Sequence, residues 1–112
     1  MKVITNGQQL STCITDYNKA VRYLGQKRAK LLQKRLSALL DANTLQDVKA
    51  LPGHFHELVD NRKGQWACDL DQPYRLIFES IEKPIPTSKD GNYLWVEIKG
   101  IELIEITNYH GK

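Results

Sequence analysis

The chain has 112 residues, of which 41% are hydrophobic and 26% are charged, and its formal charge is +3. This composition predicts one soluble globular domain over residues 1–112, and it excludes a multidomain enzyme and a disordered polymer. No apolar run is long enough for a transmembrane helix, and the first residues lack the apolar segment of a signal peptide. We therefore expect a cytoplasmic protein with no membrane partner.

The first part of the chain is predicted to form one strand and two helices. Residues 2–6 alternate weakly and predict a short strand. A first helix begins at residue 15 or 16 and ends at Leu24, because Gly25 is a natural C-terminal stop. A second helix spans residues 26–42, where leucines recur on one face. A turn separates the two helices, so we expect them to pack as a hairpin.

The basic residues are concentrated in these two helices. Between residues 17 and 40 there are seven Lys or Arg and no Asp or Glu, which gives this segment a charge of +7 and the rest of the chain −4. A cationic block on an otherwise acidic body predicts a polyanion or an acidic protein as partner. A solvated helix face is the structural alternative.

The second part of the chain is predicted to be a sheet. Thr44 and Asp47 have the spacing of a capping box and predict a short helical turn. Strands are predicted over residues 54–59, 65–70, 74–80, 93–98 and 102–109, with a hairpin loop at 60–64 and a mobile polar loop at 82–92. The fold class is therefore α+β, with an N-terminal helical hairpin packed on a mostly antiparallel sheet of four to five strands.

Motifs for nucleotide hydrolysis, serine hydrolysis and the common zinc sites are absent from the sequence. Cys13 and Cys68 lack a C-x-x-C spacing and predict two reduced, packed thiols. A zinc site built from His54 and His56 with Cys68 or His110 would have a nonstandard spacing, so we predict no metal and no cofactor.

Three features have the residue types that cleave RNA without a metal. His54 and His56 are two residues apart, Arg75 lies within a predicted strand, and the chain ends in Asn108-Tyr109-His110. An imidazole can take the proton from a 2′-hydroxyl or give one to the leaving 5′-oxygen. A guanidinium can hold the phosphate through two parallel hydrogen bonds. A phenol ring can stack on a base.

Each of these residues also has an ordinary structural explanation. A strand histidine is more often a partly buried or surface residue than a catalytic one. Arg75 could pair with Asp69 or Glu79 within the sheet, and the C-terminal residues could be a frayed end.

Motifs spread over residues 26–110 resemble the HigB-type killer proteins, which are toxins of the RelE/ParE superfamily of bacterial toxin–antitoxin modules. The most specific are Arg62-Lys63-Gly64-Gln65-Trp66, Tyr74-Arg75 and Tyr109-His110. The resemblance implies a RelE-like fold and a ribosome-dependent mRNA endoribonuclease that needs no cofactor. It also implies a cognate helix-turn-helix antitoxin of the HigA type, with operator DNA contacted only through that antitoxin.

The resemblance also implies a role for each matching residue. His56 would be a general acid or base, and His110 would be the second imidazole. Arg75 would hold the scissile phosphate, and Tyr109 would orient the 2′-hydroxyl or stack on a base. The expected RNA-binding residues are Arg62, Lys63 and Asn108, together with Lys27, Lys30 and Lys34 of the basic segment.

Three features depart from the family pattern. Asn108 stands where the family usually has an aspartate, Val59 stands where some members have a lysine, and the segment 81–100 is longer than usual. They favour an alternative, a non-enzymatic superfamily member that inhibits gyrase or acts as an inactive toxin and transcriptional co-repressor. A free-standing RNA-binding module that uses the basic face of residues 27–35 is a third hypothesis.

Overall fold

The computed structural model describes residues 1–108 of the chain. In chain order the elements are β1 (Lys2–Thr5), α1 (Gln8–Thr15), α2 (Tyr17–Leu24), α3 (Gln26–Asp41), β2 (His56–Glu57), β3 (Gln65–Asp69), β4 (Arg75–Ser80) and β5 (Gly100–Thr107). Short 3₁₀ helices occur at Leu45–Ala50, Asp60–Arg62 and Trp95–Glu97.

The strands form one sheet in the order β1-β5-β4-β3-β2. Neighbouring strands are antiparallel except for β1 and β5, which are parallel. This confirms the predicted α+β class with a mostly antiparallel sheet. In the register, Arg75 lies opposite Asp69 on one side and Thr107 on the other. The end of β3, the start of β4 and the end of β5 therefore meet at one end of the sheet.

The helices cover one face of the sheet. Trp66, Leu76 and Phe78 from the strands are fully buried and share one core cluster with Leu32 and Leu39 of α3. The alternate residues of the same strands project to the other face, since successive side chains in a strand point to opposite sides. On that side, which we call the open face, a small cluster contains Leu58, Ala67 and Ile77 with Ile104 beside it.

The helical region begins earlier than predicted. α1 (Gln8–Thr15) precedes the expected hairpin, and α2 begins at Tyr17. Asp16 separates the two, and its side chain accepts a hydrogen bond from the Lys19 backbone N–H at 3.1 Å. The predicted second helix is confirmed as α3, and the predicted capping box of Thr44 and Asp47 is present. The helical layer therefore consists of α1 in addition to the predicted α2–α3 hairpin.

Two of the predicted strands were wrong in extent or type. Only His56–Glu57 of the predicted strand 54–59 pairs as a strand, since His54 before it and Asp60 just after the predicted range adopt positive φ angles of 54° and 57°. In the predicted strand 93–98, Trp95–Glu97 is a 3₁₀ helix whose turn buries both Trp95 and Ile98. The segment 82–92 is folded back on itself by hydrogen bonds from Ser88 N–H to Asn92 O (2.8 Å) and from Leu94 N–H to Pro86 O (2.8 Å).

Both cysteines are free and buried, as predicted. Burial raises the pKa of Cys68 to about 12, which leaves this thiol protonated and unreactive at neutral pH. Within residues 1–108, no helix combines the length and the apolar character that crossing a bilayer requires.

Arg28 connects α3 to the turn between β3 and β4. Its Nε and Nη2 atoms donate to the two carboxylate oxygens of Asp71 at 2.9 and 3.2 Å, and its guanidinium lies 3.5 Å from the centre of the Tyr74 ring. The hydrogen bond from Arg28 lowers the pKa of Asp71 below its ordinary value, against the opposing effect of burial.

We expect Asp71→Asn to lower the free energy of unfolding by about 1 kcal/mol at neutral pH. Because the pKa of Asp71 is lower in the folded than in the unfolded state, the pair stabilises the fold above the ordinary aspartate pKa of about 4. This stabilisation is lost as the pH falls through the folded-state pKa. Urea denaturation at a series of pH values should show the two proteins converging in acid. Asp90→Asn, which removes an exposed carboxylate that forms no ion pair within residues 1–108, is the control. A constant difference down to about pH 2 would contradict the expectation.

Candidate functional site

His56 and His54 form a stacked pair beside β2. Their ring centroids are 4.2 Å apart and the ring planes differ by 19°. The Nδ1 atom of His56 lies 2.8 Å from the backbone oxygen of His54. Because a carbonyl oxygen can only accept a hydrogen bond, this contact favours the neutral tautomer that carries its proton on Nδ1. The Nε2 atom of His56 is then the nitrogen with a lone pair, which is the state a general base requires.

The carboxylate of Asp69 joins His54 to Arg75. Its Oδ2 atom lies 3.6 Å from His54 Nδ1, and its Oδ1 atom lies 3.4 Å from Arg75 Nε. The strand register explains this arrangement, since Asp69 ends β3 directly opposite Arg75 at the start of β4. One carboxylate therefore connects the histidine pair to the guanidinium that is predicted to hold the phosphate.

Arg75 is mostly buried but loosely held. Its side chain is 17% exposed, and its polar contacts within residues 1–108, to Asp69 Oδ1 and to the Pro73 backbone oxygen, are 3.4 Å long. Charge-assisted hydrogen bonds to arginine are usually 2.7–2.9 Å long. Moreover, Oδ1 of Asp69 is buried and accepts no hydrogen bond from the described part of the chain. The pairing of Arg75 with Asp69, which the sequence left open, is therefore present as an ion pair without an aligned hydrogen bond.

Arg62 lies in a polar network farther along the open face. It donates to Gln65 Oε1 at 2.9 Å and to Glu105 Oε2 at 3.1 Å, and Gln65 in turn donates to Glu79 at 2.9 Å. Burial raises the pKa of Glu79. The hydrogen bonds from Lys83 and Gln65 together lower it by a larger amount, so the pKa lies below its ordinary value. The network holds Arg62 against the strands. Its predicted contact with RNA stays a prediction.

The basic residues of α3 divide between two sides of the helix. Arg28 and Arg35 face the sheet, where Arg35 Nε donates to the backbone oxygen of Asp69 at 2.7 Å. Lys27, Lys30 and Lys34 are exposed and form no ion pair within residues 1–108. We call these three lysines the lysine ridge.

The remaining predicted site residues are Lys63 and the three residues Asn108, Tyr109 and His110 near the C-terminal end. Asn108 is exposed and directly follows β5, whose Thr107 lies opposite Arg75. The chain therefore leaves β5 beside the start of β4, close to Arg75. Tyr109 and His110 lie outside the described residues, so their predicted roles stay predictions. Lys63 is exposed, and its Nζ atom lies 5.8 Å from the centre of the Tyr93 ring.

Sequence reasoning did not assign a role to His54 and Asp69 in this cluster. His54 was noted only as the neighbour of His56, and Asp69 only as a possible partner of Arg75. No local signal marks Asp69, because its contact with His54 depends on the turn at residues 53–55. The alternative zinc site with Cys68 is not formed, since Cys68 belongs to the core cluster under the helices and no group of three metal-ligating side chains occurs in residues 1–108.

Comparisons with known proteins place the fold. No protein-family model matches the sequence. The structure is similar to that of the YoeB dimer from Staphylococcus aureus, with a TM-score of 0.56 and 16% identity over 98% of this chain and 97% of that one. It is also similar to a YoeB/ParE toxin from Agrobacterium tumefaciens, with a TM-score of 0.53 and 11% identity over 98% of this chain and 100% of that one. The chain has the fold of these toxins.

A curated relative gives a match of a different kind. The chain is 30% identical over 79 residues to the DNA-dependent protein kinase catalytic subunit of Xenopus laevis. This match covers 70% of the chain but only 2% of the kinase subunit. The chain thus corresponds to a very small part of that protein, and the match carries no argument about activity.

We expect neutral His56 to carry its proton on Nδ1, because the His54 carbonyl accepts from that atom. Long-range ¹H–¹⁵N NMR correlations at a pH where the ring is neutral report the tautomer directly. His54→Asn is the matched control, since asparagine tolerates the positive φ and keeps the carbonyl while removing the stacked ring. The Nδ1–H tautomer should persist in this variant. A dominant Nε2–H form in the wild-type protein would contradict the assignment.

Proposed function

We propose that this protein is the toxin of a toxin–antitoxin pair and that it cleaves messenger RNA on the ribosome. The observation that carries the proposal is the connection of His56, whose Nδ1 is bonded to the His54 carbonyl, through the stacked His54 ring and Asp69 to the loosely held Arg75. The shared fold with YoeB and ParE toxins supports the toxin part of the proposal. The HigB type rests on the sequence resemblance.

The proposed reaction is cleavage through the 2′-hydroxyl. One imidazole takes the 2′-hydroxyl proton while the 2′-oxygen attacks the neighbouring phosphorus, and the bond to the 5′-oxygen breaks as a second group protonates it. His56 suits the first step, because its Nε2 lone pair is available in the favoured tautomer. His110 is proposed as the acid, and Tyr109 is proposed to orient the hydroxyl or to stack on a base.

Arg75 is proposed to stabilise the negative charge that develops on the phosphate. A guanidinium stays protonated at any physiological pH and donates two parallel hydrogen bonds to phosphate oxygens. An incoming phosphate would compete with the carboxylate of Asp69 for these donors. The contact to be exchanged is the 3.4 Å ion pair between Arg75 and Asp69, which has no aligned hydrogen bond.

The lysine ridge is proposed to bind ribosomal or messenger RNA through phosphate contacts. Lys27, Lys30 and Lys34 are exposed, lie on one side of α3 and have no acidic partner in the described part of the chain. Phosphate contacts of this kind give affinity without sequence preference. Arg62, Lys63 and Asn108 are proposed to add contacts near the cleaved bond.

A helix-turn-helix antitoxin of the HigA type is proposed as the protein partner. A cytoplasmic nuclease that acts on messenger RNA must be masked until it is needed. The lysine ridge and the open face both offer charge that an acidic segment could cover. Contact with operator DNA is proposed to occur only through that antitoxin.

A specific observation favours a second candidate function. Asp69 neutralises Arg75 and lies near His54, so the two groups already share a counterion. A protein that does not cut RNA has no need to release Arg75. In this alternative the protein inhibits gyrase or acts as an inactive toxin in transcriptional repression.

We expect His56→Gln and Arg75→Lys each to lower the rate of ribosome-dependent cleavage by about 10²–10⁴-fold. The glutamine cannot transfer a proton, and the lysine keeps the charge but loses the paired donors. The measurement is primer extension on a message bound to programmed ribosomes. Arg22→Lys, on the exposed side of α2, is the matched control and should cut at the wild-type rate.

Thermal unfolding of each variant shows whether the fold is intact. Unchanged cleavage by folded His56→Gln would remove His56 from the site. If the wild-type protein leaves the message intact and inhibits gyrase supercoiling, the alternative function would replace the nuclease proposal.

Replacing Lys27, Lys30 and Lys34 together by Ala should weaken ribosome binding and flatten its salt dependence. If each lysine neutralises one phosphate, the slope of log affinity against log salt should change by about 2 to 3. Binding is measured by sedimentation at a series of salt concentrations. The triple variant of the exposed Lys2, Lys89 and Lys99 makes the same change in net charge elsewhere and is the control. Equal slopes for the two triple variants would contradict a binding role for the ridge.

A further inference from the structure

A pocket lies at the β2 edge of the sheet, between the hairpin that leads into β3 and the segment 91–95. Its volume is about 470 Å³. One wall contains Glu57, Leu58 and Val59 with Asp60, Lys63 and Gly64, and the other contains Gly91, Asn92, Tyr93 and Trp95. None of these residues belongs to the proposed catalytic group. The longer 81–100 segment, which departs from the family pattern, supplies the second wall.

The two walls are held at a fixed separation. A Cβ atom on Gly64, whose φ is +94°, would lie 3.2 Å from Ile85 Cδ1 and 3.8 Å from Tyr93 Oη. The segment carrying Tyr93 is closed by a bridge between Thr87 and Tyr93. Trp95 packs edge-on against the buried Trp66, with ring centroids 5.4 Å apart. The pocket is therefore part of the folded structure rather than a gap between loose loops.

The chemistry of the walls suits a planar ring. Tyr93 is half-buried, and its ring centroid lies 4.9 Å from that of Trp95. Leu58 and Val59 add apolar surface opposite these aromatic rings. Stacking on such side chains contributes affinity that any base can use, because every base has a π-face. Aromatic and aliphatic walls thus accept a nucleobase without selecting among the four.

The charged groups of the pocket are two carboxylates, Glu57 and Asp60, and one ammonium, Lys63. Glu57 is paired with Lys49 at 3.3 Å. Asp60 makes no side-chain hydrogen bond or ion pair within residues 1–108. A carboxylate only accepts hydrogen bonds, so Asp60 favours a ligand edge that donates.

We propose that this pocket binds a guanine base of the RNA substrate. Among the four bases, guanine has two adjacent donors on its Watson–Crick edge, at N1 and N2, and a carboxylate can accept both. Asn92 supplies amide donors for the guanine oxygen O6. This inference rests on the proposed function, because it takes RNA as the ligand, and it deepens that function by assigning a base preference.

The pocket and the candidate catalytic group lie on one continuous surface. Leu58 lines the pocket and belongs to the open-face cluster, two residues after His56. Glu57 of the pocket directly follows His56 in β2, so the guanine would lie close to the cleaved bond on the same RNA strand.

Binding of guanosine monophosphate and adenosine monophosphate to the isolated protein tests the proposal. Trp95 lines the pocket, so tryptophan fluorescence excited at a wavelength that nucleotides do not absorb reports occupancy. We expect guanosine monophosphate to bind at least about tenfold more tightly than adenosine monophosphate. Asp60→Asn should remove most of this preference, since an amide presents a donor to the guanine donors. Asp90→Asn makes the same change outside the pocket and should behave as the wild type.

Equal affinity for the two nucleotides, or an unchanged preference in Asp60→Asn, would overturn the guanine assignment. The measurement uses neither ribosomes nor cleavage, so it is independent of the proposed reaction. If the protein binds guanine through Asp60 but leaves messages intact, the pocket proposal stands and the nuclease proposal is wrong. If it cuts messages but binds the two nucleotides equally, the nuclease proposal stands and the pocket proposal is wrong.

Discussion

The candidate site depends on the position of one guanidinium, that of Arg35. Its Nε atom donates to the backbone oxygen of Asp69 at 2.7 Å, and it lies where a Cβ atom on Gly53 would be 2.7 Å away. The Asp69 N–H in turn donates to the Gly53 oxygen at 2.8 Å. Arg35 thus fixes the end of β3 and the turn before His54 against α3. The contacts of Asp69 with His54 and Arg75 follow from that placement.

The charged side chains of the open face are largely paired with each other. Along the strands, acidic and basic side chains pair with each other, as Arg62 does with Glu105 and Lys83 with Glu79. The three lysines of the ridge on α3, by contrast, form no ion pair within residues 1–108. In the proposed function, long-range attraction for a polyanion would come from the helix and the chemistry from the sheet.

The parts of the fold that were predicted correctly are those encoded locally. α3 has a strong leucine period and begins after a glycine, so its prediction over residues 26–42 nearly matches Gln26–Asp41. β3 and β4 were predicted within one residue at most ends. By contrast, α1 begins at Gln8 after Gly7, which provides no side-chain cap, and its apolar residues are few. Such a helix is stabilised mainly by packing on the core, which sequence reasoning does not see.

The candidate site was predicted only in part for a similar reason. His56 and Arg75 were found because their residue types and the family resemblance point to RNA chemistry. The roles of His54 and Asp69 depend on a positive φ at His54 and on the pairing of Asp69 with Arg75 across two strands. Neither is encoded within a few residues of the chain. The bond from His56 Nδ1 to the His54 oxygen, which favours one tautomer, arises from the same local turn.

The shortness of β2 limits how another protein can dock on the sheet. Within residues 1–108 the two sheet edges are β2, with two residues, and β1, with four. A segment that inhibits by joining the sheet as an extra strand needs a row of unpaired backbone groups to follow. β2 offers almost none. An inhibitor of this protein is therefore restricted to side-chain surfaces or to the other edge strand, β1, which pairs in parallel with β5.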